Sequence, residues 1–252
     1  MERNGYLEAM SRQWEPVDDV RLSEKDANER KTMNTHLHIL EAYTSLFRIW
    51  KDPQLEQALG NVISLFVEKF IDPSTWHLNL FFDEYWNLRS GFISFGHDIE
   101  CSWLLHEAAG ALGKKELVEK TADIAVKMAR ANFRGLDRDH GLIYEMFPRE
   151  NRVDGDRHWW PQAEALVGYF NAYQCSGDEE FIHKTLGVWN FIREKIIDRS
   201  HGEWVWGVNS EGIPDTGREK AGFWKCPYHN SRACMEMMDR IDATINKQTE
   251  PI

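Results

Sequence analysis

His97 and Glu100 stand three residues apart at the head of an apolar run, "GHDIECSWLL", and on a helix that spacing sets an imidazole beside a carboxylate. Trp103 continues the same stripe by one more step of three. The positive end of a helix disfavours imidazolium and a neighbouring carboxylate favours it, so the two influences oppose each other around an intrinsic value of about 6.5. Such a group serves as acid or base near neutrality. A second histidine, His229, opens another apolar run, "YHNSRACMEMMDRIDATI". If both runs bring their first turns to one cavity, two imidazoles face a bound molecule from opposite sides. That arrangement removes a proton from one face of a carbon and returns it to the other.

Two further apolar runs open in the same way, with Asn34-Thr35-His36-Leu37-His38 and with Trp159-Trp160-Pro161-Gln162-Ala163-Glu164. Ser, Thr, Asp or Asn would cap these helices as well or better, so four clusters of histidine, carboxylate and indole in register point to a shared site. Within them, Asp98 and Asn230 read as helix caps, Trp159 reads equally as core or cavity wall, and His106 reads as packed. His36 and His38 lie about 200° apart around a helix, so only one of them faces the cavity. For the same reason they cannot ligate one metal from one face. With no His-Glu-x-x-His or paired-cysteine pattern, no metal site is expected. Glu100 and Glu164 could flank a glycosidic bond, a reading that leaves the histidines idle. No glycine-rich phosphate loop and no Gly-x-Ser-x-Gly elbow occurs.

The elements that must position these residues repeat. Amphipathic segments start at Asp52, Lys114 and Asp178, and their anchors Leu55, Leu117 and Phe181 recur at steps of 62 and 64 residues. Each follows a more uniformly apolar segment, beginning at Thr35, Ile99 and Pro161, and each precedes a short aromatic, turn-rich stretch such as "TWHLNLFFDEYW" or "HGEWVWGVNSEG" that reads as a hairpin-like excursion. A helix apolar all round is buried, and its amphipathic partner covers it. The unit is an inner–outer helical hairpin, and a fourth inner helix starts at Tyr228. The fold class expected is all-α, an α/α toroid of helical hairpins in which the inner-helix starts converge on one mouth. Six such hairpins need roughly 370 residues by the repeat arithmetic, whereas this chain has about four in 252. We expect a single, partial α/α-barrel domain over 1–252, since no linker-like tract divides the chain.

The composition narrows the partner. With 41 acidic against 30 basic side chains the net charge is -11, which argues against nucleic acid. No run reaches the ~18 apolar residues that span a bilayer, and no apolar leader follows Met1, so a cytoplasmic location and no membrane partner are expected. Cys101, Cys175, Cys226 and Cys234 are scattered and read as reduced thiols. Eleven tryptophans offer flat apolar platforms for sugar rings as well as core volume.

The stretches "MNTHLHILEAYT", "GHDIECSWLLHEAA", "HWWPQAEALVGY" and "FWKCPYHNSRACMEM" together resemble the cellobiose 2-epimerase branch of the N-acylglucosamine 2-epimerase superfamily, in that family's order and over nearly the whole chain. The resemblance implies an (α/α)6 barrel and reversible epimerisation at C2 of the reducing-end glucose of β-1,4-linked disaccharides, without cofactor or metal. It implies that His97 and His229 are the general acid/base pair working through a cis-enediolate, with Glu100 in support of His97. Asn34, His38, Trp103, Trp160, Glu164 and Trp224 would line the sugar pocket, Trp160 and Trp224 as stacking indoles. N-acylglucosamine 2-epimerase and aldose–ketose isomerase are the near alternatives, and a silent sugar- or partner-binding fragment is a distant one. Family members begin with about two more hairpins, which carry an arginine that anchors the sugar. The chain therefore resembles a family member lacking its N-terminal third, with an open edge through which it would self-associate.

Overall fold

Helix α1 (Met33–Ile49) begins where Thr32 accepts a hydrogen bond from the Thr35 N–H, and α2 (Pro53–Leu65) begins where the Asp52 carboxylate accepts from Gln54 and Leu55 ahead of Pro53. These are side-chain caps of the kind that satisfy a helix's orphan N–H groups. The computed structural model describes residues 4–24 and 27–249. It continues with α3 (Phe95–Leu112), α4 (Lys115–Asn132), α5 (Trp159–Ser176), α6 (Glu179–Phe191) and α7 (Tyr228–Thr249). The chain divides into two compact units. One comprises 1–93 and 104–121, the other 94–103 and 122–252.

In the first unit α1 and α2 pack together as a hairpin, with Leu37 and Leu40 of α1 and Leu59, Val62 and Ile63 of α2 buried. Short strands β1 (Lys31–Thr32) and β2 (Phe81–Phe82) pair antiparallel beside it. His36 is fully buried there. Its Nδ1 lies 2.7 Å from the Thr32 carbonyl and its Nε2 accepts from the Tyr6 N–H at 2.9 Å. Burial, helped by nearby Lys31 and opposed by the bond to the Thr32 carbonyl, lowers its pKa to about 4.

In the second unit α5 packs against both α6 and α7, and its residues from Pro161 to Ala172 are buried on every side. This is the inner helix that its mostly apolar sequence requires, with Gln162, Glu164 and Asn171 as buried polar exceptions. Gly177, at φ 72°, closes α5 with its N–H on the Tyr173 carbonyl at 2.7 Å, and the next residue, Asp178, caps α6. A Cβ on Gly168 would fall 2.5 Å from Ile99 of α3. The glycine is thus the condition for those two helices to touch. Leading into the helices are short strands: β3 (Ile93–Ser94) before α3, β4 (Glu145–Phe147) and β5 (Arg152–Asp154) as a hairpin, and β6 (Arg157–His158) paired with β7 (Gly207–Val208).

The repeat seen in the sequence extends into a turn. After each outer helix an aspartate, Asp72, Asp137 or Asp198, accepts from the N–H two residues on, at 2.8–2.9 Å, an Asx turn. Each turn is closed by an isolated antiparallel bridge, Ile71 to Leu78, Leu136 to Leu142 and Ile197 to Trp204, so the excursions are hairpin-like as expected. Inner helices α1, α3 and α5 start two to four residues earlier than the apolar runs suggested, and α7 starts at Tyr228 as expected. Asp98 consequently lies inside the first turn of α3, fully buried, instead of capping it. Asn230 likewise is the third residue of α7. No helix among the described residues is long and apolar enough to cross a membrane.

Candidate active site

The second unit gathers side chains from three helix starts. Trp160, the second residue of α5, is the centre: its ring centroid lies 4.8 Å from that of His97 and 5.4 Å from that of His229. The two imidazoles of the sequence reading, 132 residues apart, therefore stand around one half-buried indole. Gly96 permits the approach, because a Cβ there would lie 2.4 Å from the Trp160 ring.

Each imidazole has a different partner behind it. His229 Nδ1 is 2.7 Å from Glu164 Oε1 and 3.8 Å from Glu100 Oε1. His97 Nδ1 is 2.8 Å from the Ser94 hydroxyl. A carboxylate only accepts, so His229 Nδ1 carries a proton and directs Nε2 away from Glu164. Glu100 and Glu164 are each 1% exposed, and two buried carboxylates at such separation need a cation. Arg232, one turn into α7, supplies it: its Nη2 donates to Glu164 Oε1 at 2.7 Å and to Glu100 Oε1 at 2.8 Å. Trp103 Nε1 donates to the other oxygen of Glu164 at 3.0 Å. The Arg232 guanidinium also sits 4.3 Å from the Tyr228 ring centre and 5.0 Å from that of Trp103. Burial pushes the Glu164 carboxyl upward, but the Arg232 charge and the His229 bond outweigh it and hold its pKa below 4.5.

The donor atoms of Glu100, Glu164 and His229 lie within 4.8 Å of one another, close enough to hold an ion. Arg232 Nη2 already bonds both carboxylates, so the positive charge between them is a guanidinium.

The structure thus brings His97, Glu100, Trp103, Trp160, Glu164 and His229 into one cluster. The carboxylate of Glu100 is directed to Arg232 and toward His229. Trp103 is 2% exposed and spends its N–H on Glu164, which makes it a support for that carboxylate. Trp224 is 55% exposed in the segment before α7 and stacks edge-on with Phe223. Trp159 is buried against Trp206, on the core side of its two readings. Asn34 and His38 belong to the first unit; His38 is exposed and 3.5 Å from Glu41. Sequence reasoning passed over Arg232, Tyr228 and Ser94. Arg232 stands three residues after His229, but the carboxylates it serves lie on other helices.

The N-acylglucosamine 2-epimerase (GlcNAc 2-epimerase) family model matches residues 5–233. Cellobiose 2-epimerase of Bacteroides fragilis is 51% identical over 94% of this chain and 60% of its own length. That of Dictyoglomus turgidum is 39% identical over 94% and 60%. Among solved structures, a sugar epimerase from a ruminal bacterium superposes with a TM-score of 0.88 at 40% identity over 94% of this chain and 60% of that one. The cellobiose 2-epimerase of Spirochaeta thermophila gives 0.88 at 42% over 96% and 60%. These likenesses bear out the all-α class of (α/α)6 helical hairpins. The chain spans about 60% of the length of the relatives it matches. With the family model matched over residues 5–233 and half of its residues shared with a curated relative, this chain belongs to the N-acylglucosamine 2-epimerase family.

Proposed function

We propose that the chain carries the acid–base pair of a carbohydrate 2-epimerase acting on the reducing-end glucose of β-1,4-linked disaccharides such as cellobiose. The observation that carries the reading is the placement of His97 and His229 around Trp160, with ring centroids 4.8 and 5.4 Å from the indole. The similarity to cellobiose 2-epimerases at 51% and 39% identity supports the choice of substrate. No residue with an established cofactor role enters the scheme.

One imidazole takes the C2 proton of the ring-opened aldose, and the electron pair moves into the C1 carbonyl to give a cis-enediolate. The other imidazole delivers a proton to the opposite face of C2 as the carbonyl reforms. An aldose α-proton is weakly acidic, so positioned acid–base groups are each worth ~10²–10⁴-fold. Glu164, kept ionised by Arg232, fixes the His229 tautomer so that Nε2 is the nitrogen that exchanges protons. Trp160 provides the flat apolar surface for the sugar ring.

Cellobiose, N-acetylglucosamine and mannose offered side by side test the substrate. Glucosyl-mannose from cellobiose is the expected product. Turnover of N-acetylglucosamine or mannose alone would overturn the disaccharide assignment, and a sugar-induced tryptophan fluorescence change without turnover would leave a binding protein. A second copy is a further partner under this reading: α7 exposes Met235, Met238, Ile241 and Ile245 on one face. Sedimentation is expected to show association that Met238→Glu reverses; a monomer at all concentrations would reject it.

A further inference from the structure

Between Phe223, 88% exposed, and the exposed Cys226 lies a lysine that is 1% exposed. An ammonium has three N–H donors and no acceptor, and Lys225 satisfies all three inside the protein. Its Nζ donates to the Lys220 carbonyl at 2.8 Å, the Trp204 carbonyl at 2.9 Å and Glu203 Oε1 at 3.2 Å. The same Glu203 oxygen accepts from Asn230 Nδ2 at 2.8 Å. Asn230 is 7% exposed and follows His229 directly in the first turn of α7. Glu203 adopts a left-handed conformation at φ 62°, strained for a residue with a Cβ and tolerated where surroundings over-determine it. Lys225 Nζ also lies 5.3 Å from the ring of Trp159, whose neighbour is the central indole Trp160.

Burying a lysine is costly unless it is paired and fully bonded. Here it links three pieces: the turn at 203–204, the segment from Lys220 to Tyr228, and, through Glu203 and Asn230, the head of α7. Resting on the acid–base reading above, we propose that Lys225 is a positioning residue for His229. Its ammonium holds Glu203 where Asn230 meets it, and so holds the start of α7 at the height where His229 Nδ1 reaches Glu164. It touches neither the substrate nor an imidazole.

The test uses the whole chain labelled with ¹⁵N-histidine. In the parent the Nδ1 proton of His229, bonded to a carboxylate, gives a downfield imidazole resonance, assigned by its loss in His229→Gln. In Lys225→Met that resonance is expected to shift or broaden away while the His36 resonance stays. Where the chain turns over cellobiose, kcat falls ~10- to 100-fold with KM within ~2-fold, the pattern of a misplaced group. Asn230→Ala, which cuts only the last link, is expected to move the same resonance and decides the matter if Lys225→Met does not fold. An unchanged His229 resonance in Asn230→Ala, or in folded Lys225→Met, overturns the proposal. The spectra read the position of His229 directly, so absence of turnover in parent and variants alike would reject the epimerase reading without touching this one.

Discussion

Arg232 Nη2 lies 2.7 and 2.8 Å from oxygens of Glu164 and Glu100, both closed off from solvent, and removing one partner from such a buried cluster leaves uncompensated charge worth ~3–5 kcal/mol. Arg232→Met is therefore expected to lower the urea midpoint and to abolish turnover, because Glu164 would no longer be held ionised against His229. The sign follows from Glu164, whose folded pKa is lowered below 4.5. Its ionisation contributes stability that is present above pH 4.5 and lost as pH falls through the lower folded value. Urea titrations between pH 3 and pH 7 should show that acid-side loss in the parent and a smaller one in Arg232→Met. His36 works in the opposite chemical sense with the same pH direction. Its folded pKa is depressed from 6.5 to about 4, so the unfolded chain protonates first. Stability falls as pH drops through that window, by up to ~1.4 kcal/mol per unit, and His36→Phe should flatten the profile; an unchanged slope would contradict the assignment. At this scale the sequence showed which residue types meet. It did not show that Trp103 and Arg232 serve the carboxylates, because a buried partner on another helix leaves no mark in local spacing.

At the scale of elements, glycine decides how closely helices carrying the site approach. On Gly96 a Cβ would enter the Trp160 ring at 2.4 Å and Pro161 at 3.0 Å. Neither neighbour is the flexible end of a chain, so α3 or α5 must shift. Gly96→Ala is expected to cost ~1–3 kcal/mol in thermal or urea unfolding, as overpacking does, and to reduce kcat at least ~10-fold through the displaced indole. Wild-type kinetics in that variant would show that the close approach carries no function. Helix types, order and the inner–outer alternation were legible because α5 is mostly apolar and the amphipathic segments begin with readable caps at Asp52 and Asp178. The starts were misjudged at α3 because Gly96, His97 and Asp98 look like a break, whereas buried contacts keep them helical. The short strands are two or three residues long, too brief for a period of two to register.

For the molecule as a whole, the repeat step of 62 and 64 residues foretold a chain with fewer hairpins than a six-membered ring needs, and the chain spans 60% of the length of its relatives. Its acidic balance, -11 overall, is compatible with the neutral sugar proposed above as its substrate. What composition could not supply was the pairing of distant starts, since His97 and His229 come together around an indole from a third helix. The most direct test of the central claim is cellobiose incubated with the chain in D₂O, followed by ¹H NMR and mass analysis of the recovered sugar. Two imidazoles exchanging protons with solvent predict glucosyl-mannose carrying one deuterium at C2; glucosyl-mannose free of deuterium would contradict the account.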